Sequence, residues 1–69
     1  MSLNLDISSR PKRRRAVDLI IKQLSLIRDN ESSYRDRIPD NLSDSDAALA
    51  ADDSIDFLSD AIFSLQDAY

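Results

Sequence analysis

Apolar side chains recur along this chain at alternating spacings of three and four residues, in two stretches separated by one proline. The first stripe runs Val17, Ile20, Leu24 and Ile27, is interrupted at Glu31, and resumes with Tyr34 and Ile38; the second runs Ala48, Ala51, Ile55, Leu58, Ile62, Leu65 and Tyr69. That spacing places the side chains on one face of an α-helix. Between the stripes stands Pro39, whose ring disfavours helical geometry at Ile38 and removes a backbone donor, so the first helix has to stop there. The expected fold is all-α, a coiled-coil-like antiparallel two-helix hairpin in one domain. Its parts are an N-terminal arm over residues 1–9, a helix over 10–38, a turn over 39–43 and a second helix over 44–69.

Local signals support these boundaries. Ser8 or Ser9 is an N-cap for the first helix, and Pro11 suits its first turn, where a missing N–H costs little. The chain contains no Gly, so Asp40 and Asn41 are expected to supply the left-handed conformations of the turn. Ser43 or Ser45 can cap the second helix, with Asp44 and Asp46 near the positive end of its dipole. A connection this short makes neighbouring helices antiparallel. Matching the stripes about the turn then pairs Tyr34 with Ala48, Ile27 with Ile55, Leu24 with Leu58, Ile20 with Ile62 and Val17 with Leu65.

A chain of 69 residues gains only a few kcal/mol from one core unless something supplements it. With no Cys and no His, disulfides and a zinc or other transition-metal site are poor candidates, which leaves oligomerisation. Each helix also carries more apolar surface than one seam can hide. Leu19, Ile21 and Leu26 widen the first stripe, and Leu49, Phe57 and Phe63 lie off the second. Beside the second seam runs a line of small residues, Ala47, Ala50, Ser54, Ala61, Ser64 and Ala68, that would let another helix approach. A homodimer forming a four-helix bundle is expected, with Leu19, Ile21, Leu26, Phe57 and Phe63 as candidate interface residues.

The net charge of −4 conceals an asymmetry: residues 1–38 hold all nine basic residues against five acids, and residues 39–69 hold eight Asp with no Lys or Arg. Opposite halves favour folding one against the other. The cluster Arg10, Lys12, Arg13, Arg14 and Arg15 opposes the dipole of its own helix, and the register brings it beside Asp67 and the chain carboxylate at the end of the second. Its other reading is contact with nucleic-acid phosphates. Against that stand the acidic second helix and the lack of aromatic residues interleaved with the basic ones.

Catalysis has little to stand on, since no His or Cys exists to activate a nucleophile and no Gly to build a phosphate loop. No enzyme activity and no cofactor are expected. Asp52, Asp53, Asp56 and Asp60 share a helix face but lack the Glu-x-x-His motifs of di-iron bundles, and they read as a solvated acidic face paired partly with Arg. The acidic stretch 40–46 lacks the Gly bend and closing Glu of a calcium loop. The longest apolar run, Leu19 to Ile21, is far too short to span a membrane, and the first residues show no signal-peptide pattern. A soluble cytoplasmic protein is expected. Leu3, Leu5 and Ile7 alternate with polar residues, the pattern of a half-buried strand.

The stretch from Tyr34 to Leu42, YRDRIPDNL, followed by an acidic Ala-rich helix carrying Ile55, Leu58, Ala61, Ile62 and Leu65, resembles a group of small helical proteins encoded in phages and mobile elements of Gram-positive bacteria. There a helix with a Tyr precedes a Pro-acid-Asn-Leu turn and an acidic helix follows. The resemblance spans residues 31–69 and implies a helical hairpin with no catalytic residue to carry over. The Arg-rich entry and the Leu3-Leu5-Ile7 segment depart from the group's pattern.

Overall fold

Ser9 opens the first helix. Its backbone is extended (φ −143°, ψ 163°), and its hydroxyl accepts the Lys12 backbone N–H at 3.3 Å. This is the bond an N-cap makes to an orphan donor of the first turn. In the computed structural model, which describes residues 6–69, α1 runs Arg10–Asp36. Leu3 and Leu5 of the alternating segment lie outside the described residues, and Ile7 is exposed.

α1 stops two residues short of the expected end at Ile38. The last turn tightens: Arg37 donates its N–H to Tyr34 O at 3.2 Å and Ile38 donates to Arg35 O at 3.1 Å. Such i→i+3 bonds satisfy the final carbonyls when a following proline forbids another α turn. Pro39 (φ −59°, ψ 149°) leads into one turn of 3₁₀ helix, Asp40–Leu42. Among the described residues no backbone φ is positive, which corrects the expectation of left-handed Asp40 and Asn41. A 3₁₀ turn reverses the chain with right-handed dihedrals alone, so a chain without Gly can use it.

Of the two candidate caps for the second helix, Ser45 is the one used. Its hydroxyl accepts Ala48 N–H at 3.2 Å, and α2 runs Asp46–Gln66, starting two residues later and ending three earlier than expected. Asp44 therefore precedes the cap, while Asp46 lies in the first turn at the positive end of the dipole.

The helices pack side by side, and with the arm and the turn the molecule extends 51 × 25 × 14 Å. Contacts at both ends agree with the antiparallel register: Arg14 reaches Tyr69 at one end, and Arg35 reaches Asp52 and Ser43 towards the other.

The seam of α2 holds the expected positions, with Ala48, Ala51 and Ile62 buried and Ile55, Leu58 and Leu65 partly so. That of α1 differs. Val17, Ile20 and Leu24 lie on it with Ile21, but further along the partly buried positions are Arg28, Glu31, Ser32 and Arg35. Ile27 and Tyr34, expected in the core, are 54% and 43% exposed; Ile38, just past the helix, is partly buried. The reason is the pitch. A heptad stripe repeats every 3.5 residues and drifts by about 20° per heptad around a helix of 3.6 residues per turn unless the helices supercoil. Five ideal turns from Val17 arrive at Arg35, whereas the heptad arrives at Tyr34.

Ala16, Ala48, Ala51 and Ile62 are the buried side chains of the described residues. The chain exposes 5390 Å², against about 4,400 Å² for a compact monomer of 7.8 kDa. The chain as a whole, arm included, leaves about 1,000 Å² more surface in water than its mass calls for.

Candidate interaction surfaces

The two edges of the seam differ in chemistry. Successive residues of an α-helix are about 100° apart, and in an antiparallel pair the flanks lying on the same rotational side of each seam share one face of the layer. One edge carries Ser25, Ser32, Asp52 and Ser59, all partly buried. Beside it Arg35 Nε donates to Asp52 Oδ1 at 2.8 Å. The hydrogen bond to Asp52 raises the Arg35 pKa; desolvation opposes it, and the charges of Asp52, Asp36 and Asp44 add smaller support. This edge closes with polar contacts.

The other edge is apolar. Exposed Ile27 and Tyr34 of α1 lie beyond partly buried Ile20, and on α2 the exposed small residues Ala47, Ala50, Ser54 and Ala61 lie beyond partly buried Leu58 and Leu65. Ile20, Ile27 and Tyr34 follow one another at seven residues, and so do Ala47, Ser54 and Ala61. The small residues are thus placed where the sequence put them, but the large apolar residues beside them are two that it assigned to the hairpin core. The signal that could have found them is the conflict between a 3.5 and a 3.6 period over α1.

The residues expected at an oligomer interface scatter. Ile21 is partly buried on the seam. Leu19 and Leu26 occupy the back of α1, Phe57, 72% exposed, the back of α2, and Phe63, 69% exposed, the polar flank with Leu49. No single flat surface gathers these positions. The acidic residues of α2 avoid the apolar face as well: Asp53, Asp56 and Asp60 are exposed on the far side, and Asp52 meets Arg35. No three carboxylates among the described residues are placed to hold a metal ion.

At the N-terminal end of α1, Arg10, Lys12, Arg13, Arg14 and Arg15 are all exposed. Their observed partners are not the aspartates of α2. Lys12 Nζ pairs with Asp6 at 2.9 Å, Arg13 donates to Ile7 O at 3.2 Å, and Arg14 donates to the backbone oxygen of Tyr69 at 3.3 Å. Arg10 stacks over the Tyr69 ring at 4.9 Å from its centroid, a cation–π distance. Of the two expected neighbours, Asp67 has no ion pair among the described residues, whereas the end of the chain at Tyr69 receives both Arg14 and Arg10. An open groove beside the cluster is lined by Arg10, Pro11, Arg14, Arg15 and Asp18. The Lys12 ammonium and the Ser8 hydroxyl and N–H hold the Asp6 carboxyl below its usual value.

No family model, curated protein or solved structure matches this chain. Its surfaces therefore have to be read from their own chemistry. No described helix is long and apolar enough to cross a membrane.

Proposed function

We propose that this chain is a non-enzymatic protein-interaction module: a helical hairpin that completes its core by pairing with a second copy and turns the acidic outer side of α2 towards a protein partner. The observation that carries this reading is the poverty of the single-chain core: among the described residues four are buried, three of them Ala, beside ten exposed large apolar side chains. A core so small leaves a domain of this size short of stability, and association is the supplement its composition allows. The kinship with hairpin proteins of phages and mobile elements, and a cytoplasmic setting, belong to the same proposal; the Tyr34 to Leu42 motif supports the first and the cysteine-free composition the second. Sedimentation equilibrium at micromolar concentration, with circular dichroism on the same sample, tests it. A helical dimer is expected. A stable helical monomer would reject self-association and leave the exposed apolar positions to a different protein.

One observation favours a second reading, that of a nucleic-acid accessory protein. Arg10, Lys12, Arg13, Arg14 and Arg15 are all exposed, and no Asp or Glu side chain among the described residues pairs with the four arginines, so their positive charge is left for phosphate to meet. Reversing Arg13, Arg14 and Arg15 to Glu should abolish salt-sensitive binding to DNA or RNA if this reading holds. If the wild type shows no such binding at low salt, the reading fails.

A further inference from the structure

We infer that a second copy of this chain covers the apolar face of the hairpin, with its two-fold axis parallel to the helices, so that α1 of each copy lies against α2 of the other. The inference deepens the proposed self-association by naming the face and the topology.

The face has the area a stable dimer needs. The 21 residues of α2 span about 32 Å, and two packed helices are together about 20 Å wide, giving about 600 Å² per copy. That is the lower end of what each partner buries in a stable interface.

Two arrangements bring such faces together symmetrically. With the axis across the helices, α1 meets α1 and α2 meets α2. Ile27 and Tyr34 then crowd their own kind, Ala47, Ser54 and Ala61 face small residues across a gap, and two helices with five aspartates and no cation lie side by side. With the axis along the helices, axial level is preserved. The register sets Tyr34 level with Ala47, Ile27 with Ser54 and Ile20 with Ala61. Each large side chain of one copy then meets a small one of the other, three times along the face, as close packing requires.

Charge selects the same arrangement. α1 holds eight cations and four carboxylates, whereas α2 holds five carboxylates and no cation. The arrangement that places α1 against α2 makes every neighbouring pair of helices opposite in net sign; because the aspartates of α2 lie away from this face, the preference acts through solvent and is weakened by salt. Like charges across an interface suppress the alternative. Phe57, Leu19 and Leu26 point away from this face, and the dimer does not need them.

The test uses the full chain and its lack of cysteine. Equal amounts of two single-site variants, Ile27→Cys and Ser54→Cys, are mixed, equilibrated and oxidised. A disulfide joining the two variants is expected as the main product, with little cross-linking of either variant alone. Disulfides of Ile27→Cys or Ser54→Cys with itself as the main product would overturn the topology. Sedimentation equilibrium of Ile27→Asp and Phe57→Asp locates the face. The dimer dissociation constant should rise at least about 100-fold for Ile27→Asp, the loss expected at the centre of an interface, and less than about threefold for Phe57→Asp, a surface change away from it. If Ile27→Asp loses its helical signal, the cysteine pair still decides, because both cysteine substitutions are mild. The reverse pattern, dissociation by Phe57→Asp alone, would overturn the choice of face while leaving the dimer intact. A wild-type monomer would remove the proposed self-association and this interface together.

Discussion

Arg35 donates to Asp52 across 2.8 Å, tying the last turn of α1 to the second turn of α2. A guanidinium NH2 of the same side chain donates to Ser43 O at 3.4 Å, so one residue near the end of α1 holds the helix, the turn and the second helix together. Its position also suits the negative end of the α1 dipole.

The pair is partly open to solvent, with side-chain exposures of 23% and 47%, so its energy is small. A double-mutant cycle of Arg35→Ala and Asp52→Ala, read by urea denaturation, should give a coupling below about 1 kcal/mol. A coupling of several kcal/mol would mean that the pair is desolvated in the assembled state.

Ile62 is the largest of the buried residues. Ile62→Ala should cost about 2–4 kcal/mol. Phe63→Ala, one residue further and 69% exposed, should change stability by less than about 0.5 kcal/mol. Equal losses at the two sites, measured by thermal denaturation at one protein concentration, would show that the polar flank is covered too.

Ser45 and Ser9 each satisfy one orphan donor at a helix start. Ser45→Ala and Ser9→Ala should each lower stability by about 1 kcal/mol, whereas Ser→Asp at position 45 should retain most of it. Amide hydrogen exchange in the first turn of α2 provides the check, since loss of the cap should speed exchange there before it does so in the middle of the helix.

Asp6 titrates below its ordinary value because Lys12 and Ser8 bind its charged form. A carboxyl whose folded pKa is depressed contributes stability above the unfolded value and loses it as the pH falls through the folded one. The contact of the arm with α1 should therefore be intact at neutral pH and loosen below about pH 4. An NMR titration of the Asp6 carboxyl should show the depressed midpoint, and Lys12→Ala should return it towards the ordinary range. An unchanged midpoint in that variant would assign the shift to Ser8 alone.

Most of the architecture is legible in the chain alone. Two apolar stripes separated by Pro39 specify two helices, serines before each stripe specify where they begin, and a short connection specifies that they run antiparallel. These are local matters of dihedral preference, backbone hydrogen bonding and apolar spacing, which is why sequence carries them. The ends moved by two or three residues because the final carbonyls of α1 closed with 3₁₀ bonds before Pro39. The turn needed no left-handed residue because a 3₁₀ turn does the same work.

What the sequence left open was which face of α1 meets α2, and the tertiary structure decided it. Val17, Ile20 and Leu24 belong both to a 3.5-residue stripe and to a straight 3.6-residue one, and over that short stretch the two coincide. Beyond Leu24 they part, one towards Ile27 and Tyr34 and the other towards Arg28 and Arg35. Opposite the Tyr34 end α2 presents Ala48 and Ala51, which offer little apolar bulk to draw a large side chain inward. The Arg35 to Asp52 bond holds the straight alternative instead. A helix has to be packed against its partner before that competition has an outcome, so composition and spacing supplied the candidates and the approach of two particular surfaces selected between them.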